Sequence, residues 1–146
     1  MECRKNEFTI STDPDRLDIT VIHNYLTRAY WSPGIPYDLV KKAVENSLSF
    51  GVYKDEDQIG FGRVVTDYTT TGYIADVFIL EEYRGHGLGV WLIKCIMSYP
   101  DLQGFRKWML VTKDAHSLYE KYGFRNLSAP EMYMEITRPN FYLQKE

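Results

Sequence analysis

Cysteine is scarce in this 146-residue chain: only Cys3 and Cys95. They stand far apart, and neither has a second Cys or a His at metal-ligand spacing. A disulfide framework and a cysteine-based metal site are therefore not expected. Long apolar runs are also missing. The longest, such as Val77-Phe78-Ile79-Leu80, reach about four residues, where a membrane span needs roughly 20. The charged start, Met1 to Glu7, has no apolar stretch behind it, so no signal peptide is read there. The expectation is a cytoplasmic protein with no membrane partner. Basic excess is absent too: 17 Lys and Arg against 20 Asp and Glu give a net charge of −3. That balance lacks the footprint phosphate backbones require, so nucleic acid is not an expected partner. With no repeat and no low-complexity linker, residues 1–146 read as one domain. Tyrosine is plentiful: the 12 present suggest half-buried surfaces or a lined cleft.

Hydrophobic spacing gives the elements. Phe8 to Ser11 reads as a short strand, and Ile19, Ile22, Leu26 and Tyr30 mark a helix over about 16–30. Ser32-Pro33-Gly34 breaks it. Pro36 opens a second helix, with Leu39, Val40, Ala43 and Val44 on one face. The period then falls to two. Phe50–Tyr53 and Ile59–Thr66 form a hairpin, and Tyr73–Leu80 reads as a central strand. Leu88, Leu92, Cys95 and Ile96 line a third helix. Lys107–Val111 is a strand, and Ala115, Leu118, Tyr119 and Tyr122 mark a fourth helix closed by Gly123. Glu131–Thr137 reads as a last strand. Interleaved helices around a β-meander predict an α+β, or mixed-sheet α/β, domain.

The informative segment is Arg84-Gly85-His86-Gly87-Leu88-Gly89, between the central strand and the third helix. A strand, a glycine loop and a helix start aim unpaired N–H groups and a helix dipole at one point, which suits phosphate. The dinucleotide fingerprint fails, because its last glycine slot holds Val90, and no P-loop pattern exists. R-x-x-G-x-G does fit, through Arg84, Gly87 and Gly89. It resembles the acetyl-CoA pyrophosphate loop of the GNAT N-acetyltransferase superfamily. Leu118-Tyr119-Glu120-Lys121-Tyr122-Gly123-Phe124 is similar to that family's C-terminal signature, at an appropriate distance. One departure stands out: Thr112 occupies the slot, seven residues before Tyr119, where the family usually has Asn.

The resemblance implies a mixed, mostly antiparallel twisted sheet flanked by about four helices. It implies transfer of an acetyl group from acetyl-CoA to a primary amine by direct attack, with no metal. The main chain of Phe78, Ile79 and Leu80 would pair with the pantetheine arm, with one N–H, such as that of Ile79, polarising the thioester. The loop from Gly85 to Gly89, with His86 and Leu88 inside it, would hold the pyrophosphate, and Arg84 would add charge. Tyr119 would protonate the departing thiolate, a role suited to a phenol of pKa about 10. Asp76 interrupts an apolar strand; alternation puts it with Ile74, Phe78 and Leu80, as a candidate base or as a structural partner of Arg63. Glu81, Glu82 or a water chain are the other routes for that proton. Tyr30, Trp31 and Tyr37 flank the helix break where the family walls its acceptor pocket. The acceptor is expected to be a small molecule. A peptide amine, or a non-catalytic acyl-CoA-binding role, would keep both motifs. A homodimer is also left open.

Overall fold

Asp18 starts the first helix by accepting the Val21 N–H at 3.2 Å, satisfying one of the donors a helix start leaves free. Helix α1 (Ile19–Leu26) then runs only eight residues. It is shorter than the predicted 16–30 because Pro14–Arg16 form a separate 3-10 turn. At the far end the Ser32 hydroxyl donates to the Leu26 carbonyl at 2.8 Å, diverting the chain. Helix α2 (Tyr37–Glu45) follows with Pro36 just before it.

The structure is a computed structural model and describes residues 1–143. Strands β1 (Glu2–Lys5), β2 (Phe8–Ser11), β3 (Leu48–Lys54), β4 (Asp57–Thr66), β5 (Thr71–Ile79) and β6 (Lys107–Leu110) form one sheet in chain order. Neighbours are antiparallel except β5 and β6, which are parallel and joined through α3 (Leu88–Met97). Helix α4 (His116–Glu120) follows β6. The predicted mixed sheet with four helices is therefore observed. Strand β1 was not foreseen. Its turn to β2 uses Asn6 at φ 56°, and Asn-Glu lacks the glycine that usually advertises such a turn. The predicted strand Glu131–Thr137 is absent: Pro130–Met132 make a 3-10 turn, and no strand of this sheet pairs with the residues after it. No described helix is long and apolar enough to cross a membrane.

Each face of the sheet carries helices. On one, Ile10, Phe50 and Val52 pack with Leu92, Ile93 and Ile96; on the other, Phe61 and Phe78 pack with Ile22, Leu26, Val40 and Val44. Burying each such side chain contributes about 1.5–3 kcal/mol. Two irregularities position the site. A bulge between Phe61 and Arg63 leaves Asp76 and Val77 opposite Gly62, with Asp76 at φ 56°. The extra residue shifts the alternation, so Ile74 and Phe78 belong to opposite cores and Asp76 no longer shares a face with Ile74. Second, β6 pairs with β5 only from Thr71 to Ile74. The rest of β5 continues to Ile79 with that edge open.

One core residue carries a cost. The Tyr53 hydroxyl is buried without a hydrogen-bond partner, and burial pushes its pKa up to about 12. A raised folded-state pKa means stability that is complete below pH 10 and lost as pH rises through about 12. Tyr53→Phe removes the orphan and keeps the ring beneath Arg16, 4.2 Å from its centroid. It should raise stability by about 1 kcal/mol and flatten the alkaline loss, read by urea melts at pH 7 and pH 10.5. An unchanged midpoint at both would refute this account.

Candidate active site

The open edge of β5 forms one wall of a cleft of about 710 Å³. Val77, Phe78 and Ile79 line it, as do Gly85, Gly87 and Gly89, Tyr30 and Trp31 from the loop after α1, and Tyr119. The Leu80 N–H donates to the Ile59 carbonyl at 2.8 Å, toward β4. Backbone groups alternate sides along a strand, so those of Ile79 and Val77 turn to the cleft. Leu80 accordingly does not line it, a correction to the expected trio, and Val77 does. Spacing alone could not reveal which N–H groups β4 had taken.

At the head of the cleft, Gly87 caps α3 in the left-handed conformation, φ 73°. None of the N–H groups from Gly87 to Val90 finds an acceptor among the described residues. A Cβ on Gly85, Gly87 or Gly89 would meet nothing within 4 Å. Gly89 is not at positive φ, so the backbone does not demand glycine there; what its absent side chain leaves is room. Free donors, a helix dipole and that room suit a pyrophosphate. The Arg84 guanidinium lies back on the fold, donating to the Ile79 carbonyl at 3.0 Å and to the Tyr25 hydroxyl at 2.8 Å. His86 turns away: Nδ1 sits 3.1 Å from the Tyr83 carbonyl and the ring packs near Phe8. It contributes backbone to the loop and does not line the cleft.

Tyr119 is 8% exposed, and its hydroxyl has no hydrogen-bond partner among the described residues. Burial, assisted by nearby Tyr30, pushes its pKa up to about 12. The phenol therefore stays protonated throughout the neutral range. Tyr30 accepts the Lys113 N–H at 3.2 Å and meets Trp31 edge-on at 5.0 Å. Trp31 donates from Nε1 to Asp76 at 2.8 Å. The other Asp76 oxygen receives Arg63 Nε at 2.7 Å. Asp76 lies in a separate cavity of about 510 Å³ across Trp31 and does not line the cleft. That disagrees with a base facing the thioester, and the bulge is the reason. Tyr37 lines neither cavity; its position at the start of α2 sends its ring against His23, 5.6 Å away.

Among the cleft residues that escaped the sequence are Tyr25, Arg28 and Asp114. Tyr25 stacks on Phe78 at 4.1 Å while holding Arg84. Arg28 grips Glu81 through two hydrogen bonds of 2.6 and 2.8 Å, lowering the Glu81 pKa to about 2. A carboxylate held so acidic is a poor proton acceptor near neutrality. Asp114 also lines the cleft, with no ion pair among the described residues. Thr112 accepts the Ala115 N–H at 3.1 Å, supporting the turn into α4. Cys95 lies in the core, where burial pushes its thiol up, so it is not a nucleophile. No group of three or more potential metal ligands occurs among the described residues.

The acetyltransferase (GNAT) family profile matches residues 16–124. The chain belongs to the GNAT family of acetyltransferases. A Gibberella zeae protein described as an acetyltransferase is 30% identical over 141 residues, covering 80% of this chain and 78% of that one. A crystal structure assigned to the GNAT family from Xanthomonas campestris pv. campestris is 43% identical, with a TM-score of 0.92, over 94% of this chain and 97% of that one. A Clostridium acetobutylicum structure, described as an acetyltransferase with acetyl-CoA, shares the fold at 16% identity and a TM-score of 0.64, over 89% and 94%. This GNAT chain is thus an acyltransferase, of a family that uses acetyl-CoA.

Proposed function

We propose that the protein transfers acetyl from acetyl-CoA to a primary amine of a small molecule. One observation carries this: a single cleft joins the free N–H row of α3, the open β5 edge, the unpartnered Tyr119 hydroxyl and the aromatic pair Tyr30 and Trp31. The loop holds the pyrophosphate, and the Ile79 N–H polarises the thioester carbonyl. The amine nitrogen attacks that carbon, the C–S bond breaks, and the thiolate takes the Tyr119 proton. The proton lost by the amine passes to Asp114 and solvent, and Tyr119 is reprotonated. Trp31 presents an aromatic ring that suits an ammonium before it is deprotonated, while the Tyr30 ring already carries the Lys113 ammonium 5.4 Å from its centroid. The test is free-thiol release from acetyl-CoA across a panel of small amines and lysine peptides. Release with small amines supports the reading. Release with peptides alone moves the acceptor to proteins. Tight acetyl-CoA binding without any release leaves a binding module.

Asp76 in this reading positions Trp31 and neutralises Arg63. Asp76→Asn should lower stability by about 2–3 kcal/mol, because it leaves a half-buried guanidinium unpaired. The pH dependence of kcat should keep its shape. A lost acidic limb in Asp76→Asn would return Asp76 to the role of base.

A further inference from the structure

The cavity across Trp31 has an uneven charge. Asp76, Arg63 and Lys42 are the acidic and basic side chains in its wall. Both Asp76 oxygens are taken, one by Trp31 Nε1 at 2.8 Å and one by Arg63 Nε at 2.7 Å. A further cation would find no open carboxylate oxygen there. Arg63 Nη1 donates to the Ser47 hydroxyl at 2.9 Å, which leaves Nη2 without an acceptor among the described residues. Lys42 makes no ion pair among those residues, whereas neighbouring Lys41 closes one with Glu45 at 2.9 Å. Two cations against one carboxylate leave a single uncompensated positive charge. Ile35, Leu39, Val40 and Ala43 make much of the remaining wall apolar.

The cavity also adjoins the cleft. Asp76 and Val77 are consecutive in β5; the first lines the cavity and the second lines the cleft. Trp31 lines both spaces and is tethered to Asp76. A molecule lying against its ring can place one end on either side. The amine end suits the cleft, which Asp114 and Tyr119 line. The other end meets apolar wall and then the excess positive charge.

We propose that the acceptor is an amino carboxylate. Its amine lies in the cleft beside Trp31, a short apolar chain crosses into the cavity, and its carboxylate pairs with Lys42 and with Nη2 of Arg63. This rests on the acetyl transfer proposed above and adds the chemical class of the acceptor. One negative charge matches one excess positive charge; the second charge of a phosphate or phosphonate would stay unmatched.

The probes are a series of ω-amino carboxylates, the alkylamines of matching chain length and the matching ω-aminoalkyl phosphonates. In thiol release from acetyl-CoA, kcat/KM for the best amino carboxylate should exceed that for its matched amine or phosphonate at least about 10-fold. Lys42→Glu should erase this preference, and Lys42→Arg, which keeps the charge, should retain it. Thermal melts check that both variants are folded. Calorimetry in the presence of coenzyme A reads binding without turnover, and the same preference should appear there with the same dependence on Lys42. Preferential binding without thiol release supports the carboxylate seat and removes acetyl transfer. Equal binding of the carboxylate and its matched amine, tighter binding of the phosphonate, or a preference that survives Lys42→Glu overturns the proposal.

Discussion

Gly87→Val should remove measurable acetyl-CoA binding while leaving the sheet intact. Two effects combine. Gly87 sits at φ 73°, where a β-branched residue is an outlier and an L-residue costs about 1–2 kcal/mol. Its side chain would also project into space that holds no protein atom within 4 Å, the space proposed for the pyrophosphate. Loss of close N–H contact to a doubly charged group should weaken binding at least about 100-fold, read by calorimetry. Strain alone could mimic this, and Gly89→Ala separates the two. Gly89 has no positive φ and lies inside the first turn of α3, so alanine there should stabilise the helix by about 1 kcal/mol. If its methyl group blocks the anion, affinity falls while melting temperature rises. Affinity retained in both variants would remove the loop from acetyl-CoA binding.

The second large effect is at Tyr119. Tyr119→Phe should lower kcat about 100-fold or more and leave acetyl-CoA affinity nearly unchanged. The ring remains packed against Phe124, 5.9 Å away, so the fold keeps its support. The hydroxyl has no partner to lose, and stability should hold or rise slightly. A structural tyrosine would behave in the opposite way, with stability falling and turnover persisting. Because its pKa lies near 12, Tyr119 stays protonated well beyond neutral pH, and the wild-type rate should not decline through its ionisation below about pH 11. Turnover unchanged by the substitution would take Tyr119 out of the reaction.

Legibility followed the range of the interactions. The loop from Arg84 to Gly89 was readable because its demands are local: positive φ, absent side chains and a helix start within a few residues. Tyr119 was readable from its neighbours in sequence as well as from spacing. Tyr25 and Arg28 were not, since each matters through a contact with a segment far along the chain, and Asp114 was not, since only the packed chain brings it to the cleft. Arg28 meets Glu81 across 53 residues, and Tyr25 meets Arg84 across 59. No periodicity encodes such pairs. The misplaced strand at 131–137 has the reverse cause. Its alternation is real, but a strand requires pairing as well as alternation, and residues 131–137 pair with no strand of this sheet.

The sequence by itself determined the order of elements from β2 to α4, the phosphate-suited loop and the family they belong to. These rest on side-chain period, glycine and helix-start chemistry, all short-range. Tertiary structure alone decided which backbone groups remain free and which carboxylates remain unpaired. The bulge at Asp76 sent that residue to Arg63 and Trp31, Arg28 claimed Glu81, and the early parting of β6 from β5 opened the edge on which Ile79 faces the cleft. Chemistry at this site depends on what neighbours leave unsatisfied, and only the packed chain sets that.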